Sequence, residues 1–192
     1  MTIELKGNWK RGFAYDVHTL DSVYMGVDEH GHDSWQTTRS EMGELLYRLK
    51  YQGDASVVGQ IVDILGKYKG LETMDAIIPV PSTNKQRKIQ PVLVIAQALA
   101  KRINVPVLDN ALQKQTGGQE LKNVDDPQER QALLKTSLTL NPNANLAGKN
   151  ILLLDDLYRS GSTLTVATDI LYQQANVKNV FVLVMTKTRS KR

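Results

Sequence analysis

The chain has 192 residues, 41% hydrophobic and 23% charged, which is long enough for one domain with a sizeable core and a small appended subdomain. With no cysteine it has no disulfides, thiolate zinc sites or cysteine nucleophiles; no apolar signal core opens residues 1–9 and no run reaches membrane-spanning length, so a cytoplasmic location is expected. The net charge of +4 suits a polyanionic small ligand as well as nucleic acid, and the basic finish Lys187, Arg189, Lys191, Arg192 suits a solvated end or a nucleic-acid contact.

Residues 1 to about 38 read as β-structure and turns. Trp9, Gly12, Phe13, Tyr15, Val17 and His18 alternate irregularly, and Val23 to Val27 precedes the turn-rich stretch from Asp28 to Asp33, so two or three short antiparallel strands are expected. His30 and His32, with Asp28 and Asp33, are compatible with a metal site or with a polar hairpin turn. Arg39 to Tyr51 reads as a helix with Ser40 at its N-cap and Met42, Leu45, Leu46 and Leu49 in one stripe; Arg48 and Lys50 fall on the solvated face. Gly53 and Asp54 end it, and a second helix follows from about Ala55 to Lys67.

From residue 71 the pattern changes. Asp75 to Val80 reads as the first strand of a parallel sheet, breaking into the polar loop Pro81 to Lys88, whose Lys85, Arg87 and Lys88 fit an anion site or an exposed basic turn. Pro91 to Ile103 is the next helix, closed by Asn104, and Val105 to Leu112 a weaker strand region. Gln113 to Gln128 has little apolar content, a length without structure that is usually functional or disordered. A short helix over 127–135, a short strand at Ser137 to Leu140 and turns at Asn141–Asn143 and Gly148 complete the approach to the next strand. Strands alternating with helices imply an α/β fold with a central parallel sheet flanked by helices, and residues 1–70 as a separately organised cap.

The most informative stretch is Ile151 to Thr163, I-L-L-L-D-D-L-Y-R-S-G-S-T. Four large aliphatics in a row suit a central strand covered on both faces. Asp155 and Asp156 follow, then a hydroxyl-rich loop with Gly161 running into an amphipathic helix. Ligands of open α/β sheets sit beyond the carboxyl ends of the strands, and a helix start supplies free N–H groups and a favourable dipole for a phosphate. A sugar phosphate fits such a place; a core strand with a carboxylate-rich turn is the plainer reading. No Gly-Lys-Ser/Thr ends the loop, which disfavours an ATP-binding P-loop. Val180 to Thr186 reads as the last buried strand.

Over all thirteen positions this stretch resembles the phosphoribosyl pyrophosphate (PRPP) signature of type I phosphoribosyltransferases. Across most of the chain the order of elements is similar to the ComF family, the competence-associated, amidophosphoribosyltransferase-like proteins. Glu41 to Asp54 resembles the segment where that family reads close to L-x-x-L-K-Y-x-G-D, and Pro79-Val80-Pro81 the start of its diphosphate loop. Two features depart from it: the cysteine-free N-terminus has no zinc ribbon, and Arg87-Lys88-Ile89-Gln90-Pro91 matches the family's R-G-F-N-Q at Arg87 alone. Arg159 stands where hypoxanthine-guanine phosphoribosyltransferases carry an aspartate base, and an arginine does not take up a proton at pH 7.

The resemblance implies a type I phosphoribosyltransferase fold, with residues 1–70 as a small β-rich hood and 71–192 as the core. It implies that Asp155 and Asp156 hold the ribose hydroxyls. Arg159, Ser160, Gly161, Ser162 and Thr163 would cradle the 5′-phosphate, and Pro81, Ser82, Thr83 and Arg87 would face the diphosphate. Lys114, Gln119 and Arg130 would belong to a flexible segment closing over PRPP. Mg2+ would arrive on PRPP without direct protein ligands. The implied reaction is phosphoribosyl transfer to a nitrogen nucleophile, in an enzyme that commonly dimerises. The other reading is a non-catalytic PRPP- or nucleotide-sensing protein on the same fold, assisting DNA uptake.

Overall fold

The computed structural model describes residues 2–82, 84, 87–114 and 137–189. Thr83, Gln119, Arg130 and the expected helix over 127–135 lie outside the described residues. The body of the fold is a five-stranded sheet. A short β1 (Ile3–Glu4) pairs antiparallel with β2 (Arg11–Val17), and then come the parallel strands β9 (Asn179–Lys187), β8 (Asn150–Tyr158) and β5 (Ala76–Pro79), in the order β1-β2-β9-β8-β5. The expected central parallel sheet flanked by helices is present.

The aliphatic run of β8 divides by strand alternation. Ile151 and Leu153 face the layer formed by α4 (Ser162–Gln173), with Val180, Val182 and Val184 of β9. Leu152 and Leu154 face the layer of α1 (Glu41–Tyr47), α2 (Val58–Leu65) and α3 (Pro91–Ile103). All four side chains are at most 1% exposed, and each stabilises the fold by about 2 kcal/mol through burial. That double burial is what a run without alternation requires.

The N-terminal region differs from the expected antiparallel cap. β2 is a parallel strand of the main sheet, registered Arg11↔Phe181 to Val17↔Lys187 against β9, so Ala76–Pro79 is not the first parallel strand in the chain. Its neighbours explain this: Ala14 is fully buried with the β8 and β9 aliphatics, and Trp9, 7% exposed, donates its indole N–H to the Leu5 carbonyl at 2.9 Å. The helices α1 and α2 likewise pack against β8 and β9. Within the N-terminal region, β3 (Thr19–Val27) and β4 (Asp33–Arg39) form a separate antiparallel sheet.

Helix ends follow local chemistry. Ser40 accepts from the Gly43 N–H at 3.0 Å as the expected N-cap, and Pro91 opens α3 while Asn104, at φ 55°, closes it. After α1 the chain widens into a π-turn, Arg48–Gln52, which ends at Gly53 with φ 68°. The weak strand expected at Val105 to Leu112 is reduced to one parallel bridge, Val107 to Ile77. Leu112–Lys114 instead forms β6, antiparallel to β7 (Leu138–Leu140). No helix among the described residues is long and apolar enough to cross a membrane.

Candidate functional site

β8 runs past its aliphatic core to Tyr158, so Asp155 and Asp156 lie within the strand near its carboxyl end. Adjacent strand residues point to opposite faces. Asp155 continues the face covered by α4, and Asp156 the face covered by α1. The Asp156 N–H donates to Asp155 Oδ1 at 2.9 Å. Burial, and next the neighbouring Asp156 charge, push the Asp155 carboxyl up to about 8; that N–H and the charges of Lys50 and Lys114 pull the other way.

Lys50 was expected on a solvated face, and the structure corrects this. Its Nζ lies 2.8 Å from Asp156 Oδ2, with the two side chains 23% and 18% exposed, so water screens the pair far less than a surface bridge. The π-turn is the cause: one extra residue in the turn rotates Lys50 off the outer face and onto the end of the sheet. Arg48, also expected to be solvated, binds Asp54 Oδ2 at 2.6 Å, and Asp54 Oδ1 accepts from the Ser56 N–H at 3.0 Å, starting the next turn. The L-K-Y-x-G-D segment is therefore a wall of the site. Its Tyr51, 66% exposed, lies 5.9 Å (ring centroid) from the Arg87 guanidinium, which brings the start of that wall to the loop after β5.

The loop after β8 behaves as a helix start. Gly161 is the α4 N-cap with φ 78°, and a Cβ there would fall 2.7–2.9 Å from the Tyr158 ring and hydroxyl. Ser160 and Ser162 hydroxyls are 2.9 Å apart, and Arg159 and Ser160 are exposed. The first bond of the helix ladder runs from Thr165 N–H to the Gly161 carbonyl at 2.9 Å, so the N–H groups of Thr163 and Leu164 precede it and point out of the helix start.

The loop after β5 carries Pro81, Ser82 and Arg87 among the described residues. Val80 N–H extends the pairing to the Leu154 carbonyl at 2.9 Å, which places this loop beside the β8 carboxyl end. Ser82 Oγ accepts from the Asn84 N–H at 3.2 Å, and Gln90 Nε2 donates to the Asn84 and Arg87 carbonyls at 3.0 and 3.2 Å, tying the loop back to α3. Lys114, at the end of β6, is close enough for its charge to act on Asp155.

A second group of neighbours was not anticipated. His18, between β2 and β3, places Nδ1 3.0 Å from Thr186 Oγ1, and that hydroxyl donates to the Asp156 carbonyl at 3.1 Å. His18 lines a cleft of about 50 Å3 with Lys50, Tyr47, Tyr51 and Asp156. A lone histidine between two strands carries no signal in sequence; its role arises from β2 joining the sheet next to β9. By contrast His30 and His32 sit exposed at the β3–β4 tip, where Asp28 Oδ1 accepts from both of their N–H groups at 2.9 Å and so closes the turn. Among the described residues no cluster of three His, Asp or Glu side chains is placed to hold a metal.

The raised Asp155 carboxyl has a thermodynamic consequence. Between about pH 4 and about 8 the folded chain holds a proton there that the unfolded chain has released, so stability falls as pH rises through that window. Asp155→Asn removes that proton and its slope. Chemical denaturation at pH 5 and pH 8.5 is expected to show wild type losing more stability across the interval than the variant; equal losses would place Asp155 in an ordinary environment.

No protein-family model matches the chain, and no curated protein matches it. Among solved structures it is similar to adenine phosphoribosyltransferase from Thermoanaerobacter pseudethanolicus, at 13% identity over 87% of this chain and 94% of that one, TM-score 0.47. Orotate phosphoribosyltransferase from Aeropyrum pernix is similar at 16% identity over 88% and 76%, TM-score 0.49. A third is the Trypanosoma brucei adenine phosphoribosyltransferase in complex with AMP, pyrophosphate and ribose-5-phosphate, at 12% identity over 97% and 87%, TM-score 0.47.

Proposed function

We propose that the chain binds PRPP with magnesium at the carboxyl end of β8 and transfers its phosphoribosyl group to a nitrogen nucleophile. The observation that carries this reading is the placement of Asp155 and Asp156 directly before the Gly161-capped start of α4, on a stretch matching the PRPP signature throughout. A pentose with a phosphate at one end and vicinal hydroxyls at the other spans those two features.

In this reading the carboxylates of Asp155 and Asp156 accept from the ribose hydroxyls. The N–H groups of Thr163 and Leu164, with the hydroxyls of Ser160, Ser162 and Thr163, donate to the 5′-phosphate, where the α4 dipole favours negative charge. Ser82 and Arg87 face the diphosphate, and Lys114 adds positive charge beside Asp155. The β3–β4 hairpin takes the place of the hood, while β1, β2, α1 and α2 belong with the core.

Aspartate carboxylates are hard oxygen donors suited to Mg2+, but Asp156 is taken up by Lys50, and the described residues offer no third carboxylate or imidazole to complete a cage. The donor set fits an ion carried on substrate oxygens. When bound, such an ion neutralises charge building on the departing diphosphate. The protein's own part is to hold the ring by its hydroxyls and phosphate, so that the anomeric carbon meets the nucleophile in line. It also keeps the Asp156 charge near the positive charge that develops there.

Calorimetric titration of magnesium-PRPP into the protein tests this. A dissociation constant on the order of 10 µM, about −7 kcal/mol, is expected. The absence of a binding isotherm at millimolar ligand would overturn the proposal.

A further inference from the structure

We propose that His18 is the catalytic base that takes the proton from an attacking nitrogen held in the cleft beside Asp156. The assignment rests on the phosphoribosyl-transfer reading above and adds to it the base.

Three elements clamp His18. Its N–H donates to the Lys187 carbonyl of β9 at 2.7 Å, and its carbonyl accepts from Ser40 N–H at 3.3 Å. The first turn of α1 presses on that same carbonyl so closely that a Cβ on Gly43 would lie 2.2 Å from the oxygen. The backbone is thereby held and the ring aimed.

Proton counting sets the tautomer. The Thr186 hydroxyl has one proton, and it goes to the Asp156 carbonyl at 3.1 Å. The 3.0 Å contact between Thr186 Oγ1 and His18 Nδ1 must then run from Nδ1–H to the hydroxyl oxygen. The ring lone pair is left on Nε2, which has no hydrogen-bond partner among the described residues. Thr186 is fully buried, so no water competes for that bond. Burial first, then the charges of Arg39 on β4 and Lys50 on the π-turn, hold the imidazole below its ordinary value, while Asp156 on β8 pulls it up. The ring is therefore neutral and basic at pH 7, in the form a proton acceptor needs.

The cleft beside that lone pair is small and shaped. Leu46 and Leu157 line it with the Tyr47 and Tyr51 rings, whose centroids are 5.3 Å apart. The cleft is open to solvent on one side, so an acceptor nitrogen can reach the ring from outside. As the new N–C1′ bond forms, the C1′–O bond breaks and diphosphate leaves with its electron pair. The proton on the nitrogen passes to Nε2, the resulting imidazolium is stabilised by the Asp156 carboxylate, and the proton then returns to solvent.

The test follows diphosphate release from magnesium-PRPP with ammonium chloride, imidazole or adenine as acceptor. Wild type is expected to release diphosphate with at least one of the three. His18→Gln is expected to lower kcat at least 100-fold and to lose the acid limb of the pH–rate profile, with the magnesium-PRPP dissociation constant within twofold of wild type. Thr186→Val keeps the imidazole but removes its anchor, and is expected to cost about tenfold in kcat with the acid limb retained. A His18→Gln rate equal to wild type or an unchanged acid limb would each overturn the proposal. If His18→Gln does not fold, an unchanged rate in Thr186→Val does so. A wild-type protein that binds magnesium-PRPP but releases nothing with any of the three overturns this inference alone. A wild-type protein that does not bind it overturns the reading of the PRPP site as well.

Discussion

The Asp155→Asn, Asp156→Asn double variant is expected to bind magnesium-PRPP more than about 30-fold more weakly than wild type while keeping its fold. A hydrogen bond from a ribose hydroxyl to the charged Asp156 contributes about 1.5–3 kcal/mol and one to the neutral Asp155 about 0.5–1.5 kcal/mol, so losing both removes about 2–4.5 kcal/mol of binding. The single variants are expected to differ. Asp155, pushed up to about 8, is protonated at neutral pH in the ligand-free chain, and an asparagine resembles that neutral form, so its single variant loses less affinity. Asp156→Asn strands Lys50 without the partner it holds at 2.8 Å in a poorly exposed place, and costs about 1–3 kcal/mol of stability in addition to affinity. Calorimetry on the three variants, with circular dichroism as the fold control, checks the order. Wild-type affinity in the double variant would remove the acidic pair from the site.

Gly161→Val is expected to damage the fold and the phosphate seat together. The backbone at φ 78° lies where a side chain costs about 1–2 kcal/mol, more for a β-branched one. The new Cβ would also sit 2.7–2.9 Å from Tyr158, so that ring must move. The sum is about 2–4 kcal/mol, a fall in Tm of roughly 4–16 °C for a domain of this size. Relief of the strain would turn the first N–H groups of α4 away from the loop, so affinity for ribose 5-phosphate should drop at least about tenfold. A melting scan and a titration of ribose 5-phosphate measure the two effects. An unchanged Tm together with unchanged affinity would show that the α4 start does not need its left-handed residue.

Much of this architecture was legible because it is local. Four unbroken aliphatics announce a doubly covered strand, Pro91 and Asn104 bracket a helix, Ser40 caps another, and Gly161 before an amphipathic run marks a helix start. Each of these depends on the residue's own backbone preference or on neighbours a few positions away. Lys50 was misread because a regular helix puts it outside; a single π-turn, stabilised by packing of Leu49 beneath it, moves it to Asp156.

The sequence by itself determined that a doubly covered central strand carries an acidic pair near its carboxyl end and is followed by a glycine-capped helix start, since strand period, helix caps and carboxylate chemistry are properties of short stretches. The tertiary structure alone decided that β2 enters the main sheet beside β9, because parallel pairing depends on strands 170 residues apart finding the same core. That choice brings His18, Thr186 and Asp156 into one hydrogen-bonded chain and closes Lys50 and Tyr51 around it. No periodicity encodes such a meeting; it exists only once burial of the sheet has fixed where each strand ends.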